Sequence, residues 1–179
     1  FSDIWTDLKG ANQGLCDQSA RTRSGAYPFE LAFRLICMYS LYGDLVFDPF
    51  LGTGTTTAAA IAACRNSLGV EYHNELYPAI SESVSNAVTE GASRIRARLS
   101  NHRAFVRERI EAGYKFKYSN SVHQFPVMTQ QELDLSLYLP DRIEKKSDTQ
   151  FEVIYRQPDA REIFGEEQLN LFKTTANII

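Results

Sequence analysis

The sequence predicts an α/β fold, because two apolar runs flank a glycine loop and a helical segment. The apolar run 45–47 predicts a strand; it leads into a loop with two glycines, and the alanine-rich run 57–64 predicts a helix. The second apolar run, 67–70, ends at Glu71, roughly 20 residues beyond the loop. This order is typical of the opening of a nucleotide-binding unit and predicts that the two strands are parallel, with the first one central in the sheet.

The glycine loop narrows the class of ligand. No Lys-Ser/Thr pair follows Gly52 and Gly54, so the loop is not a P-loop. Thr57 stands where the dinucleotide pattern G-x-G-x-x-G requires its third glycine, which disfavours NAD and FAD. Two glycines alone are also typical of a simple tight turn, and Glu71 alone is also typical of a solvated acid at a strand end. Its spacing from the loop favours a contact with a ribose.

The segments around this unit predict further helices and strands. Helix-spaced apolar residues at 29–42, with Pro28 at the first turn, predict a well-buried helix before the first strand. One long helix or two are predicted over 76–112, and short strands at 114–118, 125–127 and 151–155. Residues 162–177 predict a surface helix or tail.

Composition limits the classes of protein. Hydrophobic residues make up 44%, enough for a core, and the net charge is −3. Residues 94–117 include eight basic side chains and only two acidic ones, which indicates either a solvated helix face or contact with phosphates. Three cysteines without a C-x-x-C predict reduced thiols and a cytoplasmic protein, and three scattered histidines predict no metal site. No apolar run is long enough to span a membrane. The chain opens on Phe1, so we expect a part of a longer protein.

The string Asp-Pro-Phe-Leu-Gly-Thr-Gly-Thr-Thr at 48–56 closely resembles the D-P-F-x-G-[ST]-G-T-T motif of amino-methyltransferases that act on DNA. These enzymes make N6-methyladenine or N4-methylcytosine from S-adenosylmethionine. Segments 3–5 and 24–31 are similar to stretches that precede this motif in the family, although the usual His-Pro-Ala form is not kept. The resemblance implies a Rossmann-like class I methyltransferase fold with a partial sheet, an α+β C-terminal extension, and double-stranded DNA as partner.

The resemblance also implies the residues of a cofactor site. Asp48 is expected near the methionine ammonium, Gly52 and Gly54 beneath the cofactor, and Glu71 is expected to accept hydrogen bonds from both ribose hydroxyls. The full implied set lies on the glycine loop and on the segments around it: Trp5, Ser24, Gly25, Tyr27, Pro28, Asp48, Pro49, Phe50, Gly52, Thr53, Gly54, Thr55, Thr56, Glu71 and Tyr72.

The catalytic motif of the family, [DNS]-P-P-[YFW], does not occur in the 179 residues, because no two of the six prolines are adjacent. In the family this motif holds the target amine and stacks on the flipped base. We therefore predict no catalytic residue in this chain. The order fits the beta class of the family, in which the catalytic half comes first, and the missing half is expected upstream in the same protein or in a partner subunit.

These inferences divide the chain into a cofactor-binding half, residues 1–100, and a C-terminal extension, 101–179. Arg103, Arg107 and Arg109 in the extension are the predicted contacts with DNA phosphates. The leading hypothesis is the cofactor-binding part of a DNA methyltransferase, from a restriction–modification system. Two alternatives remain open: a non-catalytic subunit that binds S-adenosylmethionine in a split enzyme, and a methyltransferase for RNA or a small molecule.

Overall fold

The structure is a computed structural model, and it describes residues 5–8 and 27–165. The chain forms two compact units. Of the described residues, unit 1 comprises 5–8, 27–92 and 140–155, and unit 2 comprises 93–139 and 156–165. The chain therefore returns to unit 1 after residue 139, which the sequence-based boundary at residue 100 does not anticipate.

Unit 1 contains the predicted strand, loop, helix and strand. Its elements, in chain order, are helix α1 (Phe29–Tyr39), strand β1 (Leu45–Asp48), helix α2 (Thr55–Ala62), strand β2 (Asn66–Gly69), a 3₁₀ turn (Asn74–Leu76) and helix α3 (Tyr77–Glu111), which continues into unit 2. Strands β1 and β2 are parallel, with Leu45 opposite Asn66 and Asp48 opposite Gly69. The α/β class and the parallel pairing are confirmed.

Helices α1 and α2 form an alanine-rich core with one face of this sheet. Ala32 and Ile36 of α1 pack with Ala59 and Ala60 of α2, and Val46 of β1 packs against them. The prediction that α1 is well buried and reaches residue 42 is wrong. The helix ends at Tyr39, because Ser40 is extended, and side chains on its outer face such as Leu35 are exposed.

The other face of the sheet is exposed. Leu45, Phe47, Leu68 and Val70 alternate with inward-facing residues, and Phe47 is 57% exposed. Parallel strands are normally covered on both faces, which is why their sequences are continuously apolar. The apolar run therefore predicted a buried strand, whereas the described part of unit 1 leaves this face uncovered.

A second pair of strands belongs to unit 1; they are numbered β5 and β6 because two strands of unit 2, described below, precede them in the chain. Strand β5 (Leu139–Lys145) pairs with β6 (Phe151–Arg156). Ile143, Phe151 and Val153 from these strands pack on Ile61 and Val84. Strand β6 confirms the predicted strand at 151–155, and β5 was not predicted.

Unit 2 is built around the C-terminal part of α3. Strands β3 (Tyr118–Ser119) and β4 (Pro126–Val127) are antiparallel, so only the end of the predicted strand 114–118 is a strand. Leu99, Phe125, Val127, Leu137 and Ile163 form its core. The buried Asn120 amide donates to the carbonyls of Glu132 (2.7 Å) and Leu135 (2.9 Å), which fixes the loops around this core.

Candidate functional site

The loop between β1 and α2 has the conformation that its glycines predict. Gly52 and Gly54 have φ of +57° and +83°, the left-handed region that glycine enters without a steric penalty. The Gly54 N–H donates to the Leu51 carbonyl at 3.0 Å, and the Gly54 carbonyl accepts from Ala58 at 2.9 Å. Gly54 therefore closes the loop and begins α2, at the carboxyl end of β1.

Glu71 joins the two loops that follow the parallel strands. Its Oε2 accepts from the Gly52 N–H at 2.8 Å, and its Oε1 accepts from the His73 N–H at 2.8 Å. The His73 and Gly52 amides lower the pKa of the Glu71 carboxyl, so it is ionised at neutral pH. Each oxygen keeps a further lone pair for a donor. The structure thus brings together the acid and the glycine that the sequence placed 19 residues apart.

Asp48 is held by a chain of hydrogen bonds. Its Oδ1 accepts from the Phe50 N–H at 2.9 Å, and its Oδ2 accepts from the Thr56 hydroxyl. Since that hydroxyl donates its proton to Asp48, its oxygen accepts from the Tyr27 hydroxyl. Burial raises the pKa of Tyr27, so its phenol keeps the proton that it donates. Tyr27, Thr56 and Asp48 therefore fasten the segment before α1 to the start of α2 and the end of β1.

Thr56→Val tests this chain of hydrogen bonds. Valine has nearly the same shape as threonine but lacks the hydroxyl that bonds to the part-buried Tyr27 hydroxyl and to one Asp48 oxygen. We therefore expect a loss of about 1–3 kcal/mol in the free energy of unfolding. Urea unfolding measures it. Thr56→Ser keeps the hydroxyl and should remain close to the wild type; equal losses in both variants would contradict the assignment.

The two loop glycines face different surroundings. A Cβ at Gly54 would lie 3.4 Å from Ile80 Cα and 3.5 Å from Ser83 Cβ, both on α3. Gly54 is therefore needed for packing against α3 as well as for its backbone conformation. A Cβ at Gly52 would meet only the Phe50 carbonyl oxygen, at 3.9 Å. The open side of the loop is consequently at Gly52, where a ligand could approach the backbone closely.

Sequence reasoning missed a close contact between Gly69 in β2 and Leu51 in the loop. A Cβ at Gly69 would lie 2.7 Å from both Cδ atoms of Leu51. The Leu51 N–H also donates to the Val70 carbonyl at 2.9 Å. A glycine inside a strand pattern often marks such a close approach, so the signal was present in the sequence.

Gly69→Val should displace the loop. The added side chain cannot share the space of Leu51, and relieving such a clash costs about 1–3 kcal/mol of stability. We expect a lower unfolding midpoint in urea, and Leu51→Ala in the same chain should recover part of the loss because it vacates that space. A Gly69→Val chain as stable as the wild type would contradict the packing.

The remaining predicted site residues surround the loop or precede it. Thr53 is buried, Thr55 is the first residue of α2, and Pro28 precedes α1. Trp5 lies under the Arg34 guanidinium, 5.5 Å from its ring centre. Pro49 is exposed on the loop, as are the rings of Phe50 and Tyr72, which are 88% and 90% exposed. Ser24 and Gly25 lie outside the described residues.

A cavity of about 1060 Å³ opens beside β2 within unit 1. Leu51, Gly69, Glu71 and His73 line it at the end near the loops, and Phe151 and Val153 line it from β6. Ligand pockets of proteins commonly have volumes of about 300–1,000 Å³. The carboxylate of Glu71 therefore borders both the glycine loop and a space of the size of a ligand pocket.

The three predicted DNA contacts of unit 2 differ in their surroundings. Arg103 donates to the backbone carbonyls of Glu162 and Ile163, so its guanidinium ties residues 160–165 to α3. Arg109 and Arg107 are exposed, and Arg109 lies over the Phe105 ring at 5.2 Å.

Within residues 5–8 and 27–165, no group of three or more His, Cys, Asp or Glu side chains could hold a metal ion. Of the cysteines that the structure describes, Cys37 and Cys64 form no disulfide. No helix in the same part of the chain has the length and the apolar character needed to cross a membrane.

The first part of this chain is similar to a known family of proteins. Residues 1–82 match the model of a family described as DNA methylase, which confirms the resemblance to amino-methyltransferases of DNA. The glycine loop, Glu71 and the segment before α1 all lie within the matched residues.

Individual relatives extend the match beyond residue 82. Type II methyltransferase M.MthZI from Methanothermobacter thermautotrophicus is 42% identical over 157 residues, 88% of this chain and 43% of that protein. Type II methyltransferase M.MjaI from Methanocaldococcus jannaschii is 45% identical over 84 residues, 47% of this chain and 27% of that protein. The chain thus spans less than half the length of these relatives.

A solved structure shares a shorter segment. TTHA0409 from Thermus thermophilus, complexed with S-adenosyl-L-methionine, is 45% identical to this chain. The match covers 35% of this chain and 26% of that one, with a TM-score of 0.34.

Proposed function

We propose that this chain is the cofactor-binding part of a beta-class DNA methyltransferase. In this proposal it binds S-adenosylmethionine, for transfer of its methyl group to N6 of adenine or N4 of cytosine in DNA. The observation that carries the proposal is the 2.8 Å hydrogen bond between the Gly52 N–H and the Glu71 carboxylate at the ends of two parallel strands. Ligands of open α/β sheets bind at such carboxyl ends. The match of residues 1–82 to DNA methylases supports the same reaction.

The proposed contacts follow from the groups that the site leaves available. Gly52 presents its backbone on the open side of the loop, and Glu71 keeps lone pairs that can accept from ribose hydroxyls. Asp48, fixed by Phe50 and Thr56, offers a negative charge to the methionine ammonium. The exposed rings of Phe50 and Tyr72 can cover the nucleoside. When bound, S-adenosylmethionine supplies the activated methyl group; this chain binds and orients it.

We propose that the catalytic half, in the same protein or in a partner subunit, covers the exposed face of the β1–β2 sheet. Leu45, Phe47, Leu68 and Val70 on this face are each more than half exposed. An exposed apolar surface of this kind marks an interaction site. M.MthZI is more than twice as long as the segment that this chain matches, and M.MjaI is more than three times as long as its matched segment. This leaves room for such a half. We expect this chain alone not to methylate DNA.

Titration calorimetry tests the cofactor assignment. S-adenosylmethionine and S-adenosylhomocysteine should bind this chain, weakly if the catalytic half is absent, and NAD should not. Gly52→Asn should remove binding, since asparagine tolerates a positive φ while its side chain enters the open space above the loop. Glu82→Gln, an exposed acid on α3, is the matched control. Equal binding of NAD, or unchanged affinity in Gly52→Asn, would contradict the proposal.

The alternatives make different predictions. If this chain is a non-catalytic subunit of a split enzyme, it would bind the cofactor equally well. The complete assembly would then keep its activity when Glu71 of this chain is replaced. An RNA or small-molecule methyltransferase would leave DNA unlabelled. The proposed enzyme acts in the cytoplasm as part of restriction–modification.

A further inference from the structure

Charge is unevenly divided between the two units. Among the described residues, unit 1 has five basic and twelve acidic side chains, whereas unit 2 has ten basic and six acidic ones. Unit 2 therefore carries a net positive charge although the whole chain is net negative. Polyanions are attracted by such a local excess even when the total charge is negative.

Not every cation of unit 2 is available to a partner. Glu162 accepts from Arg96 at 2.9 Å and from Arg156 at 2.7 Å, and this arrangement lowers the pKa of its carboxyl to about 2. Arg103 donates to backbone carbonyls in the same region. These three guanidinium groups stabilise unit 2 itself, so a contact with a polyanion must be sought elsewhere.

The end of α3 turns the chain back towards the helix. Gly113 has φ of +81° and donates to the Ile110 carbonyl at 2.9 Å, and the Tyr114 N–H donates to the Arg109 carbonyl at 2.9 Å. These two bonds are a Schellman motif, which requires a left-handed residue, here glycine. The motif places residues 114–117 beside the last turns of the helix.

This turn assembles aromatic rings next to exposed cations. The Phe116 ring lies 5.1 Å from that of Tyr114 and 6.5 Å from that of Phe105, both edge-to-face. Arg109 lies over Phe105 at 5.2 Å. Tyr114 is 40% exposed, and Lys115 and Lys117 on either side of Phe116 are exposed. We call these six residues the basic-aromatic patch: Phe105, Arg109, Tyr114, Lys115, Phe116 and Lys117.

We propose that the basic-aromatic patch binds single-stranded DNA, with phosphates at Arg109, Lys115 and Lys117 and an unstacked base on Tyr114. Exposed aromatic rings beside cations are the common design of single-strand binding sites, because every base offers a stacking face. In a duplex the bases already stack on one another and offer no face to Tyr114. The inference rests on the proposed function, since an enzyme that extrudes its target base unstacks DNA locally.

Fluorescence anisotropy with labelled single-stranded and double-stranded oligonucleotides of one sequence tests the stacking. Tyr114→Ala should weaken single-strand binding by about tenfold and leave duplex binding unchanged, since a stacked base contributes roughly 1–3 kcal/mol. Tyr114→Phe keeps the ring and should bind like the wild type. Tyr39→Ala removes an exposed tyrosine of unit 1 and should have no effect. Equal loss for both forms of DNA, or no loss, would overturn the stacking.

The salt dependence tests the cations independently of Tyr114. Lys115→Ala and Lys117→Ala change exposed side chains, so the fold should be retained, and each should reduce the single-strand salt slope by about 0.7. Arg142→Ala, an exposed arginine of unit 1, should leave the slope unchanged. Unchanged slopes in both lysine variants would overturn the proposal.

Titration of S-adenosylmethionine into the same variants separates the two proposals. Affinity for the cofactor should remain that of the wild type in the Tyr114 and lysine variants. If the wild-type chain binds S-adenosylmethionine but the patch variants bind single-stranded DNA as the wild type does, the patch is wrong and the proposed function stands. If the wild-type chain does not bind S-adenosylmethionine but the patch variants lose single-strand binding, the patch stands and the proposed function is wrong.

Discussion

Replacing Phe47 with glutamate is expected to abolish methyl transfer in the proposed complete methyltransferase, which is this chain together with its catalytic half, while this chain alone stays folded. Phe47 is 57% exposed on the uncovered face of the β1–β2 sheet, so a carboxylate there stays hydrated in the isolated chain. Under the catalytic half the same carboxylate would be buried without a partner. Burying an unpaired charge costs several kcal/mol, enough to prevent the two halves from associating.

Thermal unfolding in both contexts measures the difference. In this chain, Phe47→Glu should change the unfolding midpoint little, or raise solubility. In the complete protein it should lower the midpoint markedly. Thr149→Glu, at the exposed turn between β5 and β6, is the matched control and should be neutral in both. Equal effects of Phe47→Glu in the two contexts would show that this face is not an interface.

Glu71→Ala is expected to cause the second large loss, in the affinity for S-adenosylmethionine. The variant removes the proposed charge-assisted bonds to the ribose, which corresponds to about 1.5–3 kcal/mol, or roughly tenfold to 150-fold in the dissociation constant. It also frees the Gly52 and His73 amides, so the two loops lose their connection. Both effects weaken binding.

Two further variants separate these effects. Glu71→Gln keeps one acceptor oxygen but loses the charge, so its affinity should lie between those of Glu71→Ala and the wild type. Glu75→Gln, in the adjacent 3₁₀ turn, is the control for a general change of charge and should bind normally. Calorimetric titration measures all three. Wild-type affinity in Glu71→Ala would remove Glu71 from the cofactor site.

The loop could be predicted from the sequence because its determinants are local. Gly52 and Gly54 are required by positive φ values, and the spacing to Glu71 follows from one helix and one strand of ordinary length. Such constraints act between near neighbours in the chain. The strand, loop, helix and strand were therefore found with boundaries wrong by only one or two residues.

Other features depend on distant partners that a single sequence does not identify. Hydrophobicity indicated that Phe47 prefers burial, but not that its side chain is 57% exposed in the described part of the chain. The positive charge of 94–117 predicted a basic helix, but not that Arg103 is engaged by backbone carbonyls of residues 162 and 163. The return of residues 140–155 to unit 1 likewise depends on packing against Ile61 and Val84.

The product that the complete methyltransferase forms tests most directly whether this chain binds the cofactor of a DNA methyltransferase. In this experiment, this chain together with its catalytic half is incubated with DNA and with S-adenosylmethionine that carries a deuterated methyl group. Mass spectrometry of nucleosides from the digested DNA identifies the labelled base. The predicted result is deuterated N6-methyladenine or N4-methylcytosine, with much less label in Glu71→Ala at a subsaturating concentration of S-adenosylmethionine. Unlabelled DNA, or label on the ring carbon of cytosine, would contradict the account.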